Sequence, residues 1–290
     1  MKQFLLALFL ITNVCAFAST GVDLIIFSFN RPLQLQALLE SVEHYVTGLS
    51  SVHVIYRTTS ERAAQCYHQL TKQFPSVNFT AQSSNPHSDF KLLSQAALDN
   101  SESPYVLFAV DDIIVKDYIS LQDAISIMQD MNAYGFYLRM GLHLDYCYTM
   151  NKPQRVPAMH ECVPGVYYWT FAGAEHDWGY PNTVDMTIYK KSDIMPLFSQ
   201  LPYYTPNSLE GLWSMHAGAV QHRIGLCYST AKMVNLPLNQ VQTDGANRNM
   251  EILGPDEQIA LFEQGKKLDW KKLYLFDNKS AHMAYIPNII

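Results

Sequence analysis

The chain carries Val22-Asp23-Leu24-Ile25-Ile26-Phe27-Ser28-Phe29, an almost unbroken apolar run stopped by Asn30-Arg31-Pro32. Runs of this kind, rich in β-branched and aromatic residues, are strands buried on both faces. Pro32 suits the first turn of a helix, and Leu33, Leu35, Leu38, Leu39 and Val42 then return on roughly one face as far as Val46. The unit repeats. Residues 52–56 read as a strand and 60–74 as a helix, 77–79 as a strand and 89–98 as a helix, and 105–110 as a fourth apolar run ended by Asp111-Asp112. Such alternation requires right-handed crossovers and a mostly parallel sheet, an α/β fold with flanking helices.

Beyond a helix expected at 119–131 the pattern changes to clustered Tyr, Trp, Pro and Gly. Strands are expected at 135–139, 166–171 and 184–189, and helices near 194–200, 209–217 and 255–264. There is no repeat or low-complexity tract, so residues 19–290 read as one domain with halves at about 22–115 and 116–290.

Residues 1–18 read as a cleaved signal peptide: Lys2, an apolar run from Phe4 to Val14, then the small-x-small pattern before Ser19. This places the protein in a secretory pathway, outside the cell or in a periplasm, with an uncleaved anchor as the alternative. No later stretch is long and apolar enough to span a bilayer. The net charge of −6 argues against nucleic acid and anionic lipid as partners. Past the leader stand Cys66, Cys147, Cys162 and Cys227, with no zinc-type spacing. Cys147 and Cys162 flank a Pro-containing loop and read either as a disulfide or as two packed thiols.

Two adjacent carboxylates leaving a buried strand are costly unless positive charge meets them, and open α/β sheets bind ligands at that edge. A divalent cation is a natural partner, because Mg2+ or Mn2+ needs only one or two carboxylates besides substrate phosphate oxygens. The plainer reading of Asp111-Asp112 is a turn or helix cap. Context separates the two. Residues 106–113 resemble the strand and DxD motif of GT-A glycosyltransferases, and residues 25–32 resemble the opening strand and loop of their family 2 members. The resemblance covers about 22–115 and, less firmly, 165–215. Aligned on its last acid, the motif becomes Val110-Asp111-Asp112, so its first aspartate is missing.

The resemblance implies a GT-A fold and a metal-dependent transfer, inverting in family 2, from a nucleoside-diphosphate sugar to a saccharide or other hydroxyl acceptor. It makes Asp112 the ligand of Mn2+ or Mg2+ and gives Asp111 a contact to ribose or to Asp112. By position, Ser28, Asn30, Arg31, Tyr56, Arg57 and Lys91 become donor-binding candidates; Arg31, Arg57 and Lys91 also read as ordinary surface cations. Some GT-A enzymes complete the metal shell with a histidine near the C-terminus, for which His216, His222 and His282 are candidates.

Glu175-His176-Asp177-Trp178-Gly179-Tyr180-Pro181 has the content of a ligand-binding loop, with Trp178 to stack on a sugar, Asp177 to accept its hydroxyls and Asp185 facing the same region; its alternative is a packed turn around a buried Trp. Inverting transfer also needs a general base. Glu210, in Asn207-Ser208-Leu209-Glu210-Gly211-Leu212-Trp213, resembles the family's catalytic acid and alternatively is a first-turn glutamate favoured by the helix dipole. A rival reading is an exported protein that keeps the fold and binds carbohydrate or nucleotide without catalysis.

Overall fold

A computed structural model describes residues 21–245 and 247–290, so the leader expected at 1–18 lies outside the described residues. A nine-stranded sheet organises the chain. Its strands are β1 (Val22–Phe29), β2 (Leu49–Arg57), β3 (Asn78–Ala81), β4 (Tyr105–Val110), β5 (Gly135–Tyr137), β6 (His160–Val163), β7 (Val166–Thr170), β8 (Thr187–Lys190) and β9 (Ile224–Tyr228). Their order across the sheet is β6-β7-β9-β5-β8-β4-β1-β2-β3. All run in one direction except β7 and β8, each antiparallel to both of its neighbours.

Hydrophobicity explains the placement of β1. Val22, Leu24, Ile25 and Ile26 are wholly buried, so this strand takes a central position between β2 and β4 with both faces covered. The helices α1 (Pro32–Tyr45), α2 (Glu61–Gln73) and α3 (Pro86–Asp99) form the crossovers. Pro32 and Pro86 stand in the first turns of α1 and α3, where a missing N–H costs nothing. Later come α4 (Leu121–Asp130), α5 (Lys191–Gln200), α6 (Pro206–Ser214) and α7 (Pro255–Glu263), the last packed on α1 and α2.

Two departures from expectation shape the site. The strand expected at 184–189 begins only at Thr187, because Met186 takes a left-handed backbone (φ 40°) that breaks the extended run and leaves Asp185 outside the ladder. The strand Ile224–Tyr228 was not anticipated: Gly225 interrupts its apolar run, and a Cβ there would lie 2.8 Å from the Trp169 ring. The short pair Ile113–Val115 and Met233–Asn235 folds a late segment back beside Asp112.

Candidate functional site

Asp111 follows the C-terminal end of β4, and its N–H donates to the Phe27 carbonyl at 3.1 Å, extending the link to β1. Its side chain is saturated. Oδ2 accepts from Ser28 Oγ and from the Phe29 N–H, both at 2.9 Å, and Oδ1 accepts from Arg31 Nη1 at 3.0 Å. The buried Arg31 also donates from Nε to Asn239 Oδ1 at 2.9 Å. Burial opposes charging of this guanidinium, but Asp111 and Asp112 outweigh it and hold its pKa above the ordinary arginine value. Arg31 is therefore a buried counter-ion, not a surface cation.

A cleft of about 200 Å³ opens over the ends of β1, β2 and β4, lined among others by Ser28, Phe29, Arg57, His87, Asp111 and Tyr204. Arg57 lies over the Phe29 ring, 4.6 Å from its centroid. Three expected donor contacts are not in this lining. Asn30 turns the chain at φ 54° and binds Thr59 through Oγ1 at 2.7 Å and N–H at 3.1 Å. Tyr56 stacks on Tyr67 at 4.6 Å. Lys91 gives its ammonium to the carbonyls of Ser199 and Leu201 at 2.9 and 2.8 Å, closing the end of α5 outside this lining.

A second cavity of about 370 Å³ shares Arg31 as a wall and gathers Asp112, Asp185, Glu210, His282, Asp177 and Arg139. Asp112 Oδ2 is 3.9 Å from Arg31. Asn235 Nδ2 reaches both Asp112 Oδ1 at 3.2 Å and Asp185 Oδ1 at 3.4 Å, and His282 Nε2 lies 3.5 Å from Asp185 Oδ2. Burial pushes the Asp112 carboxyl up to about 6; Arg31 opposes the rise, while Asp111 and Asp185 add to it.

Glu210 sits past the first turn of α6, whose N-terminus is closed by a capping box between Thr205 and Ser208. Its Oε1 accepts the Val184 N–H at 3.0 Å, which aims it into the cavity; the first-turn reading does not apply. Burial first, and then the charge of Asp185, push its carboxyl up to about 7.

The expected sugar-stacking role of Trp178 fails on burial. The ring is fully enclosed, packs edge-on against Trp169 at 5.0 Å and donates from Nε1 to the Leu144 carbonyl at 3.2 Å. Asp177 does line the cavity, but its carboxylate is engaged by Arg139 at 3.2 Å and Gln154 at 3.3 Å. His216 and His222 are exposed and not in the lining. The four cysteines at 66, 147, 162 and 227 are free thiols, which removes the expected Cys147–Cys162 disulfide. Sequence reasoning missed Arg139, which a charge directly after the apolar run Phe136–Leu138 could have signalled, and Asn235 and Asn239, which carried no local signal.

Among the described residues, no three His, Cys, Asp or Glu side chains stand ready-made as a metal cage. The donor chemistry nonetheless fits a hard divalent ion. Asp112, Asp185 and His282 would offer it oxygen and imidazole donors, and such ions keep open positions for phosphate oxygens.

Comparison with known proteins agrees with this architecture. No family model matches the chain. Over 205 residues, 65% of this chain, it is 24% identical to the bifunctional glycosyltransferase pgtA of Dictyostelium discoideum. Among solved structures, TarS 1–349 from S. aureus, in complex with UDP, superposes with a TM-score of 0.50 at 15% identity over 73% of this chain. This chain has a GT-A glycosyltransferase fold. Its match spans 26% of the curated relative's length and 59% of the TarS chain. Both cavities lie at the strand ends where open α/β sheets place ligands.

Proposed function

We propose that the chain is a nucleotide-sugar-dependent glycosyltransferase that moves a sugar from a nucleoside-diphosphate donor to a hydroxyl acceptor. The observation that carries this reading is the pairing of two adjoining cavities across Arg31. One is lined by aromatic and polar groups at the ends of β1 and β2, the other by carboxylates with elevated proton affinity. The likeness to a curated glycosyltransferase and to a UDP-bound structure supports it.

In this reading the nucleoside lies in the first cleft, against Phe29, Arg57 and Tyr204, with Ser28 and Asp111 at its floor. Asp112, with Asp185 and His282, would hold Mn2+ or Mg2+, which would supply charge neutralisation for the leaving diphosphate. Glu210 takes the acceptor hydroxyl proton; a carboxyl that titrates near 7 both accepts a proton at neutral pH and releases it afterwards. Inversion rests on the family 2 resemblance of residues 25–32.

The test is donor turnover in the presence of Mn2+, using UDP, GDP and CDP sugars with the wild type, Asp112→Ala and Glu210→Ala. Metal-dependent turnover that both variants lose supports the assignment. Tight nucleotide binding with no turnover of any donor establishes instead a binding protein that keeps the fold.

A further inference from the structure

The chain is acidic overall, yet its cations are unevenly spread. Five of its 20 lysines and arginines, Lys266, Lys267, Lys271, Lys272 and Lys279, fall between residues 266 and 279. Lys267 pairs with Glu40 at 2.6 Å and Lys279 lies 4.0 Å from Asp277. Lys266, Lys271 and Lys272 are exposed and have no ion pair among the described residues.

Beside them is a run of exposed apolar side chains. Tyr274 is 46% exposed, Leu275 59% and Phe276 36%, and Tyr118, 58% exposed, places its ring 6.3 Å from that of Tyr274. The platform below is firm: Tyr274 stacks on the buried Tyr45 at 5.7 Å, and Tyr45 meets Trp270 edge-on. Leu275 occupies a left-handed backbone at φ 54°, fixed by its N–H bond to the Lys116 carbonyl at 3.1 Å. The leucine side chain is thereby presented to solvent from a left-handed backbone that its residue type rarely adopts.

We propose that this face seats the protein on an anionic phospholipid bilayer, with Tyr118, Tyr274, Leu275 and Phe276 entering the interface and Lys271 and Lys272 meeting lipid phosphates. Tyrosine rings with apolar bodies and polar tips suit the headgroup boundary, and lysine stems cover apolar surface while their ammonium groups reach phosphate. Charge complementarity selects the partner. A second copy docked about a two-fold axis would bring like-charged lysines together, whereas an anionic leaflet attracts every one of them. No helix among the described residues is long and apolar enough to cross a membrane, so the attachment is peripheral. Residues 266–279 hold five lysines against Asp269 and Asp277, a local charge of +3 in a chain whose net charge is −6.

The full chain is sedimented with phosphatidylcholine vesicles and with vesicles containing phosphatidylglycerol, as wild type, as Lys271→Glu/Lys272→Glu and as Leu275→Asp. Residues 1–20 are common to all three, so differences read the patch. Binding of the wild type to the phosphatidylglycerol vesicles should weaken with salt, and both variants should bind at least about tenfold more weakly, with melting temperatures unchanged. Equal vesicle binding by all three proteins overturns the proposal. So does light scattering that shows Leu275→Asp breaking up an oligomer without altering vesicle binding, which would assign the face to self-association.

Discussion

The guanidinium of Arg31 lies 3.0 Å from Asp111 and 3.9 Å from Asp112, so one buried cation answers both carboxylates at the end of β4. Its other side is fixed by Asn239, far along the chain, and it forms the partition between the two cavities. The first half of the fold is thereby tied electrostatically to the segment that closes the site.

Removing that cation leaves two largely buried carboxylates without their shared counter-charge. Arg31→Met is expected to lower unfolding stability by about 3–5 kcal/mol, as for breaking any buried ion pair by deleting one partner. Asp111→Asn keeps the shape and should cost less, and the double variant should cost less than the two changes added together. Urea unfolding of the four proteins measures this, and additive losses would show that the pair is not coupled.

Glu210 gives a pH signature with a definite sign. If it is the base, turnover rises with pH through about 7 and levels off above, because only the carboxylate accepts a proton. Glu210→Gln should lose about 10²-fold or more in rate and abolish that limb. Stability moves the opposite way. A carboxyl raised in the folded state favours folding fully below its ordinary value near 4.5 and loses that contribution as pH climbs through about 7. Glu210→Gln should therefore be more stable than wild type at pH 8, by on the order of 1–3 kcal/mol, and no different at pH 4. Melting curves at the two pH values decide it.

The strand and helix units of residues 22–112 were legible because continuous apolar runs and a 3.6-residue stripe are local signals. Long-range placement was not. Asn235 reaches Asp112 across 123 residues, and nothing near either position announces the other. At Lys91 the sequence gives a helix but not which way its polar face turns; packing of α3 against α5 sends the ammonium to carbonyls. Asp185 came into the site by a backbone reversal at Met186 that a strand pattern conceals.

If Asp112 holds the metal as proposed, a proton and the ion compete for the same oxygens. Mn2+ with nucleoside diphosphate should raise the melting temperature at pH 7.5, and the shift should shrink as pH falls through about 6, where the Asp112 carboxyl becomes protonated. Asp112→Asn should lose the metal-dependent part and keep the part due to nucleotide alone. Equal metal shifts in the two proteins would move the ion elsewhere.

Trp178 separates packing from recognition. Its ring is enclosed by Trp169 and bonded to Leu144, so Trp178→Ala should destabilise by about 3–5 kcal/mol through the cavity it opens. Trp178→Phe keeps most of the volume and loses the Nε1 hydrogen bond, which costs about 1 kcal/mol. Because the ring does not reach the cavity surface, the acceptor KM of Trp178→Phe should match that of wild type while its melting temperature falls. A raised KM with unchanged stability would mean that the loop around Trp178 opens to place the ring against the acceptor.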